Sequence, residues 1–206
     1  MLNDQAQVDL FGPALQAPAP WIFDPLERGA YSLIMADPPW KYLTRSPKGL
    51  GKSPDKHYST MTLAQLMDMP LGDLAAKDAV LWLWGTAPML DKQLQCMRAW
   101  GFRFVSSGVW VKRTRKGKLA FGGGYTFRNA HEIVLLGAKG APKYPNRTVR
   151  SVIEGPLREH SRKPDEAYDV ARRLVPYGRA ADVFSRQSRP GWENWGNERN
   201  LFDEVA

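Results

Sequence analysis

Short apolar runs alternate with segments of helical period along most of the chain. WIF (21–23), YSLIMA (31–36), AVLWLWG (79–85), FVSSGVWV (104–111), EIVLLGA (132–138), SVIE (151–154) and ADVF (181–184) read as strands. Several are apolar on successive rather than alternate residues, as strands covered on both faces should be. Three intervening segments read as helices. Thr62, with Gln65 three positions on, is a capping signal ahead of Leu63, Leu66 and Met67. APMLDKQLQCMRAWG has Pro88 near its start, Leu90, Leu94 and Met97 on one face, and Gly101 as a stop. KPDEAYDVARRLVP sets Pro164, Asp165 and Glu166 in a first turn, where acids suit the helix dipole. Ala167, Val170, Ala171 and Leu174 then form its apolar stripe. This alternation predicts an α/β fold with a mostly parallel sheet. Long connections are expected at about 41–60, 112–130 and 139–150, and loops of that length tend to carry function. The Ala/Pro-rich start predicts an extended N-terminal arm over 1–20, ahead of a single domain over 21–206.

Composition narrows the class. At 206 residues, 43% hydrophobic and 24% charged, the chain has the length and make-up of one well-buried globular domain. No apolar run nears the roughly 20 residues that span a bilayer. The first twenty residues lack the basic and apolar regions of a signal peptide. Cys96 is the single cysteine, which excludes an intrachain disulfide and a cysteine-based zinc cluster and suits a reducing compartment. With three histidines (His57, His131, His160), no metal site is expected. A soluble cytoplasmic protein with no membrane partner is the expectation.

Charge placement says more than the net +8. Residues 112–150 hold ten Lys/Arg against one acid, Glu132, which is +9 in one stretch and −1 in the rest. Basic residues beside the aromatic and glycine-rich FGGGYTF (121–127) suit a polyanion, above all nucleic acid. A solvated basic loop is the alternative.

The candidate chemistry sits in ADPPWKY (36–42), directly after the apolar YSLIM. Asp37 is a poor strand former, and Pro38 and Pro39 have no N–H for a sheet, so the chain leaves the strand in a stiff conformation. In open parallel sheets ligands bind at the carboxyl ends of strands, and this segment ends one. Methyl transfer to the exocyclic amine of adenine has matching needs. That nitrogen is nearly non-basic and gains positive charge as it attacks. Two acceptors aimed at its hydrogens would stabilise that charge in the transition state. Asp37 offers a carboxylate and Pro38 a carbonyl, with Pro39 fixing its direction and Trp40 supplying a ring to stack on an unstacked base. The plainer alternative is a strand-end turn, with the acid as a cap and the indole in the core.

The sequence resembles the MT-A70 family of S-adenosylmethionine-dependent adenine N6-methyltransferases, in its compact bacterial or phage form. The resemblance runs from about Trp21 to Leu201, through ADPPW (36–40), HYSTM (57–61), LWLWGT (81–86), the WGF and VWVK block (100–112), RNAHEIVLLGAKG (128–140), REHSRKPDE (158–166) and VFSRQSRPGWENWGNE (183–198). It implies a Rossmann-like methyltransferase of permuted motif order, with the catalytic motif early and the cofactor-binding strand late. It makes Asp37, Pro38, Pro39 and Trp40 the catalytic motif, and places Asp37 near the cofactor sulfonium. Asp24, Pro25 and Leu26 would line the cofactor's adenine edge, and Lys163 would meet its carboxylate. Phe184, Ser185, Arg186, Ser188, Asn197 and Glu198 would complete the pocket. The usual glycine-rich pattern is missing from SRQSRPG, so partners at 184–190 stay open. Tyr58 resembles a gate residue beside the reaction centre. Lys41, Arg45, Lys48, Arg113, Arg115, Lys116, Lys118 and Arg128 are candidates for gripping the phosphate backbone. His131 and Glu132, at the start of a strand behind the basic loop, are read as substrate-orienting or structural. DNA is the favoured polymer by analogy with single-domain modification enzymes. RNA, a nucleic-acid-binding pseudoenzyme that supports an active partner, and a homodimer stay open.

Overall fold

The computed structural model describes residues 20–41, 60–123, 126–159 and 162–203. Seven strands form one sheet: β1 (Tyr31–Ala36), β2 (Ala75–Gly85), β3 (Arg103–Arg113), β4 (His131–Lys139), β5 (Val152–Pro156), β6 (Arg179–Val183) and β7 (Glu193–Trp195). Their spatial order is β5-β3-β4-β2-β1-β6-β7. Only β4 runs against the others, antiparallel to both β2 and β3, while β1 is parallel to β2 and β6. The expected mostly parallel sheet is present, and its one reversed strand starts where the other strands end.

The helices fall where the capping signals put them: α1 (Leu63–Asp68), α2 (Leu90–Ala99) and α3 (Asp165–Leu174). The Thr62 side chain accepts from the Gln65 amide, and the Gln65 side chain accepts from the Thr62 amide, a complete capping box. On one sheet face α1 and α2 pack over Ile34, Leu81, Leu83 and Leu135, joined by a bond from Trp100 Nε1 to the Leu66 carbonyl (2.8 Å). On the other, α3 lays Ala167, Tyr168 and Ala171 over Leu33, Met35, Val80, Trp82 and Trp84. Strand residues alternate faces, and the two core clusters sort Ile34 and Ala36 from Leu33 and Met35 accordingly.

Several expectations are corrected. WIF is not a strand: Trp21–Pro25 is a turn, closed by the Leu26 amide on the Phe23 carbonyl (2.7 Å), with Phe23 buried. The segment runs directly into Asp24-Pro25, and Pro25 has no N–H to give to a ladder. The seventh strand is instead β7, whose Glu193 takes bonds from Arg179 Nη2 (2.7 Å) and the Tyr31 hydroxyl (2.8 Å). The stretch 112–130 is not wholly a loop. β3 runs through Arg113, Arg113 bridges Leu119, and the Thr114 amide donates to the Lys118 carbonyl (2.8 Å), making a basic hairpin. Of the arm expected at 1–20, residues 1–19 lie outside the described residues.

Candidate active site

Period two carries the chemistry to one place. Asp37 continues the face of Leu33 and Met35, and on the opposite strands Trp110 stands across from Glu132. Lys112 shares that face, two positions beyond Trp110. Lys163 precedes α3, which covers this face. The outcome is a chain of charges, buried at Lys163 and half-buried at Asp37, Glu132 and Lys112. Lys163 Nζ lies 2.6 Å from Asp37 Oδ2 and 3.3 Å from Glu132 Oε2, and Lys112 Nζ lies 2.5 Å from Glu132 Oε1. Lys163 is 8% exposed, which only paired charges tolerate. Its ammonium also sits 5.4 Å from the Trp84 ring centroid.

Electrostatics follow from that burial. Desolvation pushes the Asp37 carboxyl above the usual carboxylate range, against the pull of Lys163 and with help from Glu132. Burial acts the same way on Glu132, but Lys163 and Lys112 outweigh it and hold this carboxyl below the ordinary value. Burial would lower Lys163, yet Asp37 and Glu132 together push it up. Of its three donors, two are committed to these carboxylates.

Against the Asp37–Lys163 end of this chain is a narrow cleft of about 20 Å³, lined by Asp37, Lys163, Asp182, Phe184, Ser185 and Gln187. Asp182 is 3% exposed and accepts from the Tyr168 hydroxyl (2.9 Å). Burial raises it to about 6, with Tyr168 and Arg189 opposing. β6 is followed at once by Phe184, a non-glycine residue in the left-handed region (φ 65°), a strained conformation that clusters at functional turns. The Ser185 amide donates to the Trp195 carbonyl (2.9 Å), and the Ser185 hydroxyl donates to the Gln187 carbonyl (2.9 Å).

The expected site residues divide. Asp37, Lys163, Phe184, Ser185 and Arg186 all line the cleft. Glu198 reaches its rim through an ion pair with Arg186 (2.7 Å). Asp24 and Pro25 are exposed on the turn after Phe23, joined to the cleft by the ring series Phe23–Trp195–Phe184, with centroids 4.9 and 5.6 Å apart. Leu26 is buried and Asn197 exposed. Ser188 turns to Asn194 (3.1 Å) and Asn200 (3.5 Å) instead of lining the cleft.

Within the motif, the Pro38 carbonyl accepts from the Trp40 amide (2.8 Å), and the Pro39 carbonyl from the Met61 amide (2.9 Å). A carbonyl has a second lone pair, so Pro38 keeps acceptor capacity. Trp40 departs from its expected role. It is 6% exposed and packed in the core, with Nε1 on the Trp84 carbonyl (3.4 Å), which leaves its ring no open face for a base.

Lys41 is exposed beside the motif. Arg113 is paired to Glu154. Arg115, Lys116 and Lys118 are exposed on the hairpin, Arg128 lies over Phe121 (5.4 Å), and His131 is exposed at the start of β4. Tyr58, Arg45 and Lys48 lie outside the described residues. Among the described residues no cluster of metal-ligating side chains occurs, and no helix is long and apolar enough to cross a membrane.

Sequence reasoning missed Lys112 as a member of the site, and read Glu132 no further than substrate-orienting or structural. The available signal was that Glu132 is the one acid among ten cations in 112–150.

A parallel-rich sheet with one reversed strand and an acid at the tip of an inner strand is the architecture of a Rossmann-like methyltransferase. The chain belongs to the MT-A70 family, whose model matches residues 31–198. It is 30% identical over 176 residues to an N(6)-adenosine-methyltransferase MT-A70-like protein of Arabidopsis thaliana, covering 84% of this chain and 24% of that one. It is 30% identical over 175 residues to the Homo sapiens N(6)-adenosine-methyltransferase catalytic subunit METTL3, covering 82% of this chain and 28% of that one. A type II methyltransferase, M.MunI of Mycoplasma sp, is 29% identical over 195 residues, covering 86% of this chain and 81% of its own length. The chain thus spans about a quarter of the length of the plant relatives it matches.

Proposed function

We propose that the protein transfers a methyl group from S-adenosylmethionine to the exocyclic N6 of adenine in DNA. The observation that carries this reading is Asp37 at the tip of β1, held by Lys163 through Oδ2 alone. Oδ1 is left to accept from the amine, and the Pro38 carbonyl is the second acceptor for the charge that develops there. S-adenosylmethionine, when bound, supplies the electrophilic methyl on a sulfonium.

The cleft's donors and acceptors suit that cofactor. Asp37 and Asp182 are acceptors for a cationic centre, Lys163 has one donor left for a carboxylate, and Phe184 gives an apolar edge. Asp24 is assigned to the adenine edge of the cofactor, with Pro25 and Leu26 shaping the turn. Ser185, Arg186, Asn197 and Glu198 are assigned to its ribose side. Trp40 is assigned to positioning the motif. Arg115, Lys116, Lys118 and Arg128 lie toward the same end of the sheet as Asp37 and are assigned to phosphates. The adenine is everted or already single-stranded, since its amine is out of reach in a stacked duplex.

The type II methyltransferase relative, matched over most of both lengths, favours DNA. The relatives named for adenosine make RNA the second reading. Incubation with labelled S-adenosylmethionine and matched single- and double-stranded DNA and RNA, digested to nucleosides and read by mass spectrometry, tests both. N6-methyldeoxyadenosine is the expected product. The ribonucleoside alone would move the substrate to RNA. Cofactor binding with no product on any polymer would favour the pseudoenzyme. Loss of product in Asp37→Ala, with polymer binding kept, separates catalysis from binding.

A further inference from the structure

A second cavity, of about 330 Å³, lies on the α3 face at the far end of the sheet from Asp37. The 10-residue α3 spans about 15 Å between the two. The cavity exists because this face is thinly covered. β5 reaches β3 only from Val109 onward, so the first half of β3 has one open edge. Only α3 and the segment after β4 lie over it. Leu136, Ile153, Val170 and Leu174 make apolar walls.

Two features make it more than a groove. Trp82, 3% exposed, and Tyr144 both line it, and Trp82 Nε1 and the Tyr144 hydroxyl are buried without a hydrogen-bond partner. A buried donor without an acceptor is costly, and a ligand acceptor would relieve it. Arg147 and Arg150 line the same cavity, both exposed, and neither has an ion pair among the described residues. Arg172 and Arg173 stand in the adjoining cleft, where Asp169 is the acid present. An apolar body of this volume with a few polar anchors is the make-up of a small-molecule site.

We propose that this cavity binds a small anionic amphiphile, with its apolar body against Leu136 and Leu174 and its carboxylate, sulfonate or phosphate at Arg147 and Arg150. Charge decides among occupants. A second copy seated through this face would bring the same arginine rim against itself, and like charges suppress such a contact. A nucleic-acid backbone would meet the arginines but has no group for the apolar floor.

The test is fluorescence titration of the full chain with anilinonaphthalene sulfonate, with decanoate as competitor. Saturable binding to one site, displaced by decanoate, is expected. Ser106 stands opposite Leu136 in the β3–β4 register and is exposed, so Ser106→Trp fills the cavity from a position outside the core. It should weaken the probe by about tenfold or more. Arg147→Ala with Arg150→Ala should weaken it by about tenfold while leaving the urea midpoint unchanged. Unsaturable binding, or binding that neither variant alters, overturns the proposal. Displacement by a short oligonucleotide but not by decanoate overturns it in favour of nucleic acid. A dimer in sedimentation that Ser106→Trp disperses overturns it in favour of a second copy.

Discussion

Lys163 is a lysine whose proton affinity burial lowers and two carboxylates raise, with the carboxylates prevailing. Its ammonium lowers the proton affinity of Asp37, while burial and Glu132 raise it, and the net position is above an ordinary aspartate. The proposed reaction needs Asp37 ionised, so the rate should fall as pH drops through a value above that of an ordinary aspartate. Lys163→Met removes the lowering influence, so the acid limb of kcat, measured at saturating cofactor, should move to still higher pH. An unmoved limb would take Asp37 out of the titration that controls the rate. Asp182 permits a stability test with the sign worked out. Its folded pKa is about 6, against roughly 3.9 for an unfolded aspartate. Its contribution is therefore fully present below the unfolded value and is lost as pH rises through the folded one. Asp182→Asn stays neutral throughout. The variant should gain on the parent between pH 4 and pH 7, by up to about 3 kcal/mol. Urea midpoints at the two pH values measure the gain, and an equal difference at both would remove Asp182 from the linkage.

At the scale of elements, the site depends on how β6 turns toward β7. Phe184 leaves the strand in the left-handed region, and Gly196 (φ 156°) lies against it: a Cβ there would stand 2.9 Å from the Ser185 carbonyl oxygen and 3.1 Å from the Phe184 carbonyl carbon. These are backbone atoms that cannot swing away. Gly196→Ala should cost about 1–3 kcal/mol and weaken cofactor binding more than it slows transfer at saturation, read as KM against kcat. A neutral alanine would separate this turn from the pocket. Much of this was legible in sequence. The Asp-Pro-Pro-Trp exit from an apolar strand, the capping box at Thr62 and the acidic first turn of α3 each leave a local mark. β7 left none, because three half-buried residues in a polar stretch become a strand only by pairing with β6. The reversal of β4 was equally silent, since a doubly covered strand reads the same in either direction. Glu132 was read no further than substrate-orienting or structural for that reason: its pairing with Lys163 follows from β4 beginning where β1 ends. Trp40 erred the other way, because a tryptophan after two prolines looks the same whether its ring faces a ligand or the core.

Taken whole, the molecule is asymmetric in charge, and the asymmetry is aligned with the sheet. β3 and β1 point the same way, so the hairpin that extends β3 carries Arg115, Lys116 and Lys118 toward the end that holds Asp37. All three are exposed, and Phe121 and Phe127, each 81% exposed, stand on the segment that returns to β4. Lys112 and Lys163, by contrast, are committed to Glu132 and Asp37 and have little charge to offer a polyanion. The division predicts two separable effects on nucleic-acid binding. Replacing Arg115, Lys116 and Lys118 together with alanine should remove about three phosphate contacts. The log–log salt dependence of duplex binding should then become shallower by about 3, and by about 2 for a single strand. Replacing Lys112 alone should leave that slope where it was while lowering turnover, because its partner Glu132 supports the site and not the backbone. Fluorescence anisotropy with a labelled oligonucleotide between about 50 and 200 mM salt covers the range in which such contacts change affinity most visibly. A triple variant with an unchanged slope would place the polymer on another face of the protein, and the hairpin would lose its role in substrate binding.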